Sequence, residues 1–153
     1  MRENYHRDSF ISDLSSKEIK HKYNIALLGE GAVGKSAITI RFIKNVFIKE
    51  YNSTIEEQYP KNRICINHEA FELNILDTAG MEDLRKASDD TMIRKRDGYI
   101  LVFDVTNRES FERIAYFRDV IRKYYSDTAP VLVVGNKVDE ESRRMVSKDE
   151  AMK

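Results

Sequence analysis

Apolar residues fall along the chain in two kinds of segment. Short, nearly continuous apolar runs are typical of strands buried on both faces. Between them lie amphipathic segments with apolar residues three and four positions apart, which predict helices. The predicted strands are 23–28, 61–66, 71–76, 99–103 and 131–134. The predicted helices are 34–45, 84–96 and a third that follows the capping-box spacing of Thr106 to Glu109.

This order of elements indicates an α/β fold with a mainly parallel sheet and helices on both faces. In such folds, ligands bind beyond the carboxyl ends of the strands. The loops at 29–36, 77–83 and 135–139 follow predicted strands and carry the polar motifs of the chain. We therefore expect the functional site where these three loops meet.

The segments outside this pattern are polar. Residues 1–21 show no sustained period and predict a flexible extension, which leaves 22–153 as a single domain. Residues 46–60 read as a long polar loop, and long loops in compact domains are often functional. Ser147 to Glu150 has capping-box spacing and predicts the start of a helix, of which only three further residues are present.

Composition narrows the class of protein. The 153 residues suffice for one domain, and the 26 basic and 26 acidic side chains balance, so no overall charge favours nucleic acid as a partner. A single cysteine, Cys65, excludes an internal disulfide and fits a reducing compartment. No run of 18 apolar residues is present, so no membrane span is expected, and no lipidation motif encodes membrane association in this chain.

The first loop, GEGAVGKS, matches the phosphate-binding pattern G-x-x-x-x-G-K-[ST] between a predicted strand and a predicted helix. Its glycines let successive backbone N–H groups and the helix N-terminus point at one anion. Lys35 would reach the outer phosphates, and Ser36 would offer its hydroxyl to Mg²⁺. A chance glycine-rich turn with an exposed lysine is the alternative, and the flanking elements argue against it.

The third loop, Asn136-Lys137-Val138-Asp139, indicates which nucleotide base the site would recognise. A carboxylate at Asp139 can accept two hydrogen bonds from adjacent N–H groups of guanine, whereas adenine presents an acceptor and would leave the carboxylate unpaired. Asn136 can brace the loop, and the stem of Lys137 can lie across the base. Alone the motif is short and could be a solvated turn; about a hundred residues after a phosphate loop it favours guanine.

Together with Asp77-Thr78-Ala79-Gly80, these motifs make the chain resemble a Ras-type small GTPase from about residue 23 to its end. The loop YNSTIEEQY at 51–59 is similar to the effector loop of the Ras subfamily rather than that of Rab or Rho proteins. The resemblance implies a switch that binds GTP or GDP with Mg²⁺, hydrolyses GTP and signals to effector proteins through this loop. GTPase-activating and nucleotide-exchange proteins are the further partners it implies, with a cytoplasmic location or, if the full-length protein is lipidated, a membrane surface.

The resemblance also assigns roles to residues. Thr54 would complete the Mg²⁺ shell with Ser36 and Asp77, and Gly80 would donate its N–H to the γ-phosphate. Phe47 would pack against the guanine, although a phenylalanine here could equally belong to the core. Lys35, Thr54 and Gly80 form the implied catalytic set. The implied nucleotide-binding residues are Gly29, Glu30, Gly31, Ala32, Val33, Gly34, Lys35, Ser36, Ala37, Phe47, Thr54, Asp77, Gly80, Asn136, Lys137 and Asp139.

Two departures from the family pattern qualify these expectations. Met81 stands where the family usually has a glutamine that orients the attacking water, and a thioether cannot donate a hydrogen bond. The family's last strand, its final helix and a third base-contacting loop have no counterpart before Lys153. We therefore expect slow hydrolysis, an exposed apolar face of the sheet and weaker nucleotide binding by this chain alone. A nucleotide-binding interaction module without useful hydrolysis and an adenine-nucleotide kinase or ATPase are the alternatives.

Overall fold

The computed structural model describes residues 18–47, 56–78, 96–124 and 128–152. Within these ranges lie five strands, three α-helices and a 3₁₀ turn at Glu141–Arg143. The strands are β1 (Ile19–Leu28), β2 (Glu56–Ile66), β3 (Glu69–Thr78), β4 (Gly98–Asp104) and β5 (Val131–Asn136). The helices are α1 (Lys35–Lys44), α2 (Arg108–Tyr124) and α3 (Lys148–Ala151).

The five strands form one sheet in the order β2-β3-β1-β4-β5. Strand β1 pairs in parallel with both β3 and β4, and β4 pairs in parallel with β5, whereas β2 runs antiparallel to β3. The chain thus continues from β1 toward both sides of the sheet, and the point outside the carboxyl end of β1 is where α/β folds of this kind bind ligands.

Alternate residues of β1 bury themselves on opposite faces of the sheet. Leu27 packs in a cluster that includes Ile38 and Ile43 of α1. Ala26 and Leu28 pack on the other face in a cluster with Phe117 and Ile121 of α2, both fully buried. Burial of such a side chain contributes roughly 1.5–3 kcal/mol. The predicted fold, a mainly parallel sheet with helices on both faces, is confirmed.

Strand β1 begins earlier than the sequence predicts, so the expected extension of residues 1–21 is wrong at its last three positions. The first residue pair between β1 and β3 is Ile19 with Ala70. The side chains there are held by charge rather than by burial: Lys20 pairs with Glu69, and Lys22 Nζ lies 3.1 Å from Glu72. A strand made of exposed charged residues leaves no apolar run to detect.

Strand β2 also begins earlier than expected, at Glu56, so residues 56–60 of the predicted loop 46–60 belong to the sheet. Antiparallel pairing of this segment with the end of β3 explains the difference, because Glu56 lies opposite Thr78. The two strands join through Asn67 and His68, which both have positive φ, 51° and 66°. That backbone is typical of the two-residue hairpin turns that match strand twist.

Helix α2 begins one residue later than the capping-box spacing indicates. Asn107, not Thr106, caps the helix: its Oδ1 accepts a hydrogen bond from the N–H of Ser110 at 3.2 Å. The Thr106 hydroxyl donates instead to Asp104 at 2.7 Å. The cap predicted at Ser147 is confirmed, since its Oγ accepts from the N–H of Glu150 at 3.2 Å.

Strand β5 lies at the edge of the sheet and exposes apolar side chains, as expected. Leu132 is 59% exposed, and Val131 and Val133 are also exposed.

Of the helix predicted at 84–96, residues 84–95 lie outside the described residues, and Arg96 is not helical. Among the helices in the described ranges, none has the length and apolar character required to cross a membrane.

Candidate functional site

The phosphate loop connects the carboxyl end of β1 to the start of α1 and packs closely against its surroundings. A Cβ at Gly29 would lie 2.2 Å from the carbonyl oxygen of Val102 in β4. Gly34 has a left-handed backbone (φ 97°), and a Cβ there would lie 2.2 Å from Nδ2 of Asn136. A Cβ at Gly31 would meet no atom of the described residues within 4 Å. The loop is therefore crowded at both ends and open in the middle, as a cradle for a ligand requires.

Helix α1 begins under this cradle without the usual protein caps. Gly34 occupies the N-cap position and supplies no side-chain hydrogen bond, and the first turn contains no acidic residue. The backbone N–H groups of a first helical turn have no intrahelical partner, and the helix dipole adds partial positive charge there. An anion such as a phosphate satisfies both.

Lys35, at the first position of α1, is folded back over the loop. Its ammonium donates to the carbonyl oxygens of Gly29 at 3.0 Å and Glu30 at 2.9 Å. The side chain is buried, and burial lowers the pKa of Lys35 to about 8, against the opposing influence of the nearby Asp77 and Glu30 carboxylates. A buried cation held by carbonyl oxygens can turn to an incoming phosphate without a large rearrangement.

Asp77 is the penultimate residue of β3, at the carboxyl end of the strand next to β1. It is fully buried and lies opposite Leu27 of β1, whose carbonyl accepts a 2.7 Å hydrogen bond from the Thr78 hydroxyl. Within the described ranges no group of three or more histidine, cysteine or acidic side chains could hold a metal by itself. One carboxylate with the hydroxyl of Ser36 nevertheless fits Mg²⁺, which proteins commonly bind through one or two carboxylates together with ligand phosphates.

The third motif at residues 136–139, called the base loop below, follows the apolar part of β5 and contacts the phosphate loop at 29–36. Nδ2 of Asn136 donates to the carbonyl oxygen of Val33 at 2.9 Å, across 103 positions of sequence. Lys137 has a left-handed backbone (φ 62°), and its ammonium lies 2.6 Å from Oδ2 of Asp104. Asp139 is exposed in the following turn. The structure thus brings the first and third predicted motifs together at one edge of the sheet.

An ion pair that the sequence does not indicate ties the phosphate loop to α2. The carboxylate of Glu30 accepts from Nε of Arg113 at 3.1 Å, and both side chains are partly buried. The Arg113 guanidinium also lies 5.0 Å from the ring centre of Tyr116, one turn further along the helix. The acidic residue inside the loop is therefore paired with a cation from α2.

Several predicted site residues are not placed. Thr54, Gly80 and Met81, and most of the effector-like loop 51–59, lie outside the described residues. Phe47 is described and is 63% exposed, so the alternative that it belongs to the core is wrong. Asp104, the last residue of β4, was not among the sequence candidates.

A G-x-x-x-x-G-K-[ST] loop between the central parallel strand β1 and helix α1 defines the P-loop class of α/β folds. A family model described as the Ras family matches residues 24–153. The chain belongs to the Ras family.

Relatives with Ras-like names match over most of the chain. It is 40% identical over 135 residues to Ras-like protein rasW of Dictyostelium discoideum, covering 88% of this chain and 62% of that protein. It is 42% identical over 139 residues to Ras-like protein 1 of Saccharomyces cerevisiae, covering 90% and 44%. Ras-like protein rasB of Dictyostelium discoideum is 42% identical over 133 residues, covering 86% and 66%. The chain thus spans between 44% and 66% of the length of these three relatives.

Replacing Gly34 with alanine should destabilise the protein by about 2 kcal/mol or more, because the new Cβ meets the Asn136 amide and the backbone is left-handed. The measurement is the free energy of unfolding in urea without nucleotide. Gly31→Ala is the matched control and should change stability by less than about 0.5 kcal/mol, since its Cβ has open space. Equal losses in both variants would contradict the crowding seen at Gly34.

The pKa of Lys35 predicts a pH dependence of stability. Between pH 8 and 10.5 the unfolded chain binds more protons at this lysine than the folded protein does, so the free energy of unfolding rises with pH there. Below pH 8 the cost of burying the charged ammonium is fully present, at about 3 kcal/mol. The stability of Lys35→Met relative to wild type should therefore fall by about that amount from pH 7.5 to 10.5. Urea unfolding measures it, with the exposed Lys44→Met as control; parallel curves for Lys35→Met and wild type would contradict it.

Proposed function

We propose that this chain is a guanine-nucleotide-dependent switch that binds GTP and GDP with Mg²⁺ and hydrolyses GTP slowly. The observation that carries the proposal is the hydrogen bond between Asn136 and Val33, because it joins a phosphate-binding loop to a loop suited to a purine base. Membership of the Ras family and the Ras-like names of its relatives support the same class.

Recognition of guanine rests on Asp139. An exposed carboxylate in a turn fixed by the hydrogen bond from the Glu140 N–H to the Lys137 carbonyl can accept two N–H donors side by side. Adenine offers no such pair, and a polar group left unpaired at a binding site costs far more than a missing apolar contact. This chemistry disfavours the kinase or ATPase alternative.

Ser36 and Asp77 are the described residues that would hold Mg²⁺, and Thr54 is the further ligand that the family resemblance implies. When bound, the ion would neutralise part of the phosphate charge. The chain's own contribution lies in the loop: its N–H groups and the helix start bind phosphate oxygens, and Lys35 adds a cation whose carbonyl contacts already hold it in the site.

Signalling would run through protein partners. The acidic segment 51–59, with Glu56 and Glu57 at the start of β2, suits a basic effector surface. GTPase-activating and nucleotide-exchange proteins would set the rates of GTP hydrolysis and of nucleotide exchange. We infer a cytoplasmic site of action, with recruitment to a membrane surface if the full-length protein is lipidated.

Competition between nucleotides tests the base preference. Unlabelled GTP should displace a fluorescent GDP from the purified protein at concentrations at least about a hundredfold below those at which ATP does, because only guanine pairs both acceptors of Asp139. Asp139→Ala should remove most of this preference and leave the phosphate contacts intact. Equal displacement by ATP and GTP would favour the kinase or ATPase alternative.

Met81 bears on hydrolysis rather than binding. A thioether cannot donate a hydrogen bond to water, so the position lacks the group that the family uses to orient the nucleophile. Either a partner supplies that group or the protein remains loaded with GTP for long periods. A GTP-binding interaction module with negligible hydrolysis is the second candidate, and Met81 is the observation that favours it.

Met81→Gln should raise the single-turnover rate of GTP hydrolysis by about tenfold or more, since an amide restores both a donor and an acceptor. Met81→Leu is the matched control, with a side chain of similar size and no polar atoms, and should hydrolyse GTP at the wild-type rate. Nucleotide affinity should be the same in all three proteins. Equal hydrolysis rates for wild type and Met81→Gln would show that this position does not limit the reaction.

A further inference from the structure

Asp104 ends the buried strand β4 and lies between the base loop and the start of α2. The residue is only 6% exposed. Its Oδ1 accepts from the Thr106 N–H at 2.8 Å and from the Thr106 hydroxyl at 2.7 Å. Its Oδ2 lies 2.6 Å from the ammonium of Lys137. The two carboxylate oxygens therefore bind different groups: Oδ1 binds Thr106, two residues further along the chain, and Oδ2 binds Lys137 of the base loop.

Charge and hydrogen bonds keep this carboxylate ionised. Burial alone would raise the pKa of the Asp104 carboxyl, but the hydrogen bonds from Lys137 and Thr106 and the charge of Lys137 outweigh it and hold the pKa below its usual range. A mostly buried anion with one cationic neighbour holds that neighbour firmly, because leaving either charge unpaired is costly.

Lys137 is thereby held at both ends of its side chain. At the backbone end its left-handed conformation, at φ 62°, sets the direction in which the side chain leaves the loop. At the other end the ammonium is held by Asp104. A lysine stem normally samples many rotamers, and ordering it during binding opposes association. Here the contact with Asp104 restricts the rotamers that the four-carbon stem can adopt without a base.

We propose that Asp104 is a positioning residue of the guanine site, which fixes the ammonium of Lys137 so that the apolar stem of this lysine forms a preordered surface for the purine ring. The inference rests on the proposed function. Asp104 touches no nucleotide itself and acts through Lys137.

The backbone around Asp104 allows its side chain to be tested separately from the fold. The Val105 N–H donates to the carbonyl of Asn136 at 3.0 Å, and the Val105 carbonyl accepts from Met145 and Val146. The Asp104 N–H donates to the Ser110 hydroxyl at 3.0 Å. The bond to Asn136 holds the base loop at the end of β4, and the others hold residues 145–146 and the start of α2 there; none of them uses the side chain at position 104.

Dissociation of a fluorescent GDP, measured after mixing with excess unlabelled GDP at fixed Mg²⁺, tests the inference. Asp104→Asn keeps an oxygen for Thr106 but loses the charge that holds Lys137, and should release the nucleotide about tenfold faster. Lys137→Met keeps an apolar stem and lacks the ammonium. In that background Asp104→Asn should change the rate less than twofold. Glu141→Gln, an acid of the neighbouring turn paired with Arg144, is the control and should match wild type.

The outcomes distinguish a failure of the Asp104 inference from a failure of the proposed function. An equal acceleration by Asp104→Asn in both backgrounds would show a purely structural role, and no acceleration in wild type would show no role; either overturns the inference and leaves the proposed function standing. A wild-type chain that binds no labelled GDP overturns both. If Asp104→Asn fails to fold, Asp104→Glu replaces it: the retained charge should limit the acceleration to about threefold, and only where Lys137 is present.

Discussion

The hydrogen bond from the Asn136 amide to the Val33 carbonyl is the interaction on which the candidate site depends. Its two residues lie 103 positions apart and on loops that leave strands separated by β4. Each loop alone is a common turn. Joined, they place the predicted phosphate motif and the predicted base motif at a fixed separation, as the proposed nucleotide site requires.

The sheet makes that junction possible. Because β1, β4 and β5 run parallel, their carboxyl ends emerge at the same edge, and the loops that follow them meet without further structure. The helices contribute from both faces. Helix α1 supplies an uncapped N-terminus beneath the phosphate loop, and α2 supplies Arg113, which offsets the acidic Glu30 within that loop.

Parts of this arrangement could be predicted from the sequence because they have short-range patterns. The phosphate loop shows in the spacing of Gly34, Lys35 and Ser36, and helix 34–45 shows in its apolar period and is confirmed at Lys35–Lys44. The first strand is recognisable only where it is apolar; its mostly polar start at residues 19–22 pairs with β3 and carries two ion pairs to it, which no local pattern reveals. Asp104 and Arg113 were not predicted for the same reason, since their partners are distant in sequence.

The glycines of the phosphate loop differ in what they tolerate. Gly29 and Gly34 are surrounded by protein, so a larger residue there is opposed by the fold itself. A Cβ at Gly31 would meet none of the described residues within 4 Å, and it lies in the loop that we propose binds phosphate. Cells remove variant proteins chiefly by recognising their unfolded fraction. A substitution at Gly31 would therefore leave the unfolded fraction, and with it the abundance of the protein, near normal while changing the loop proposed to bind phosphate.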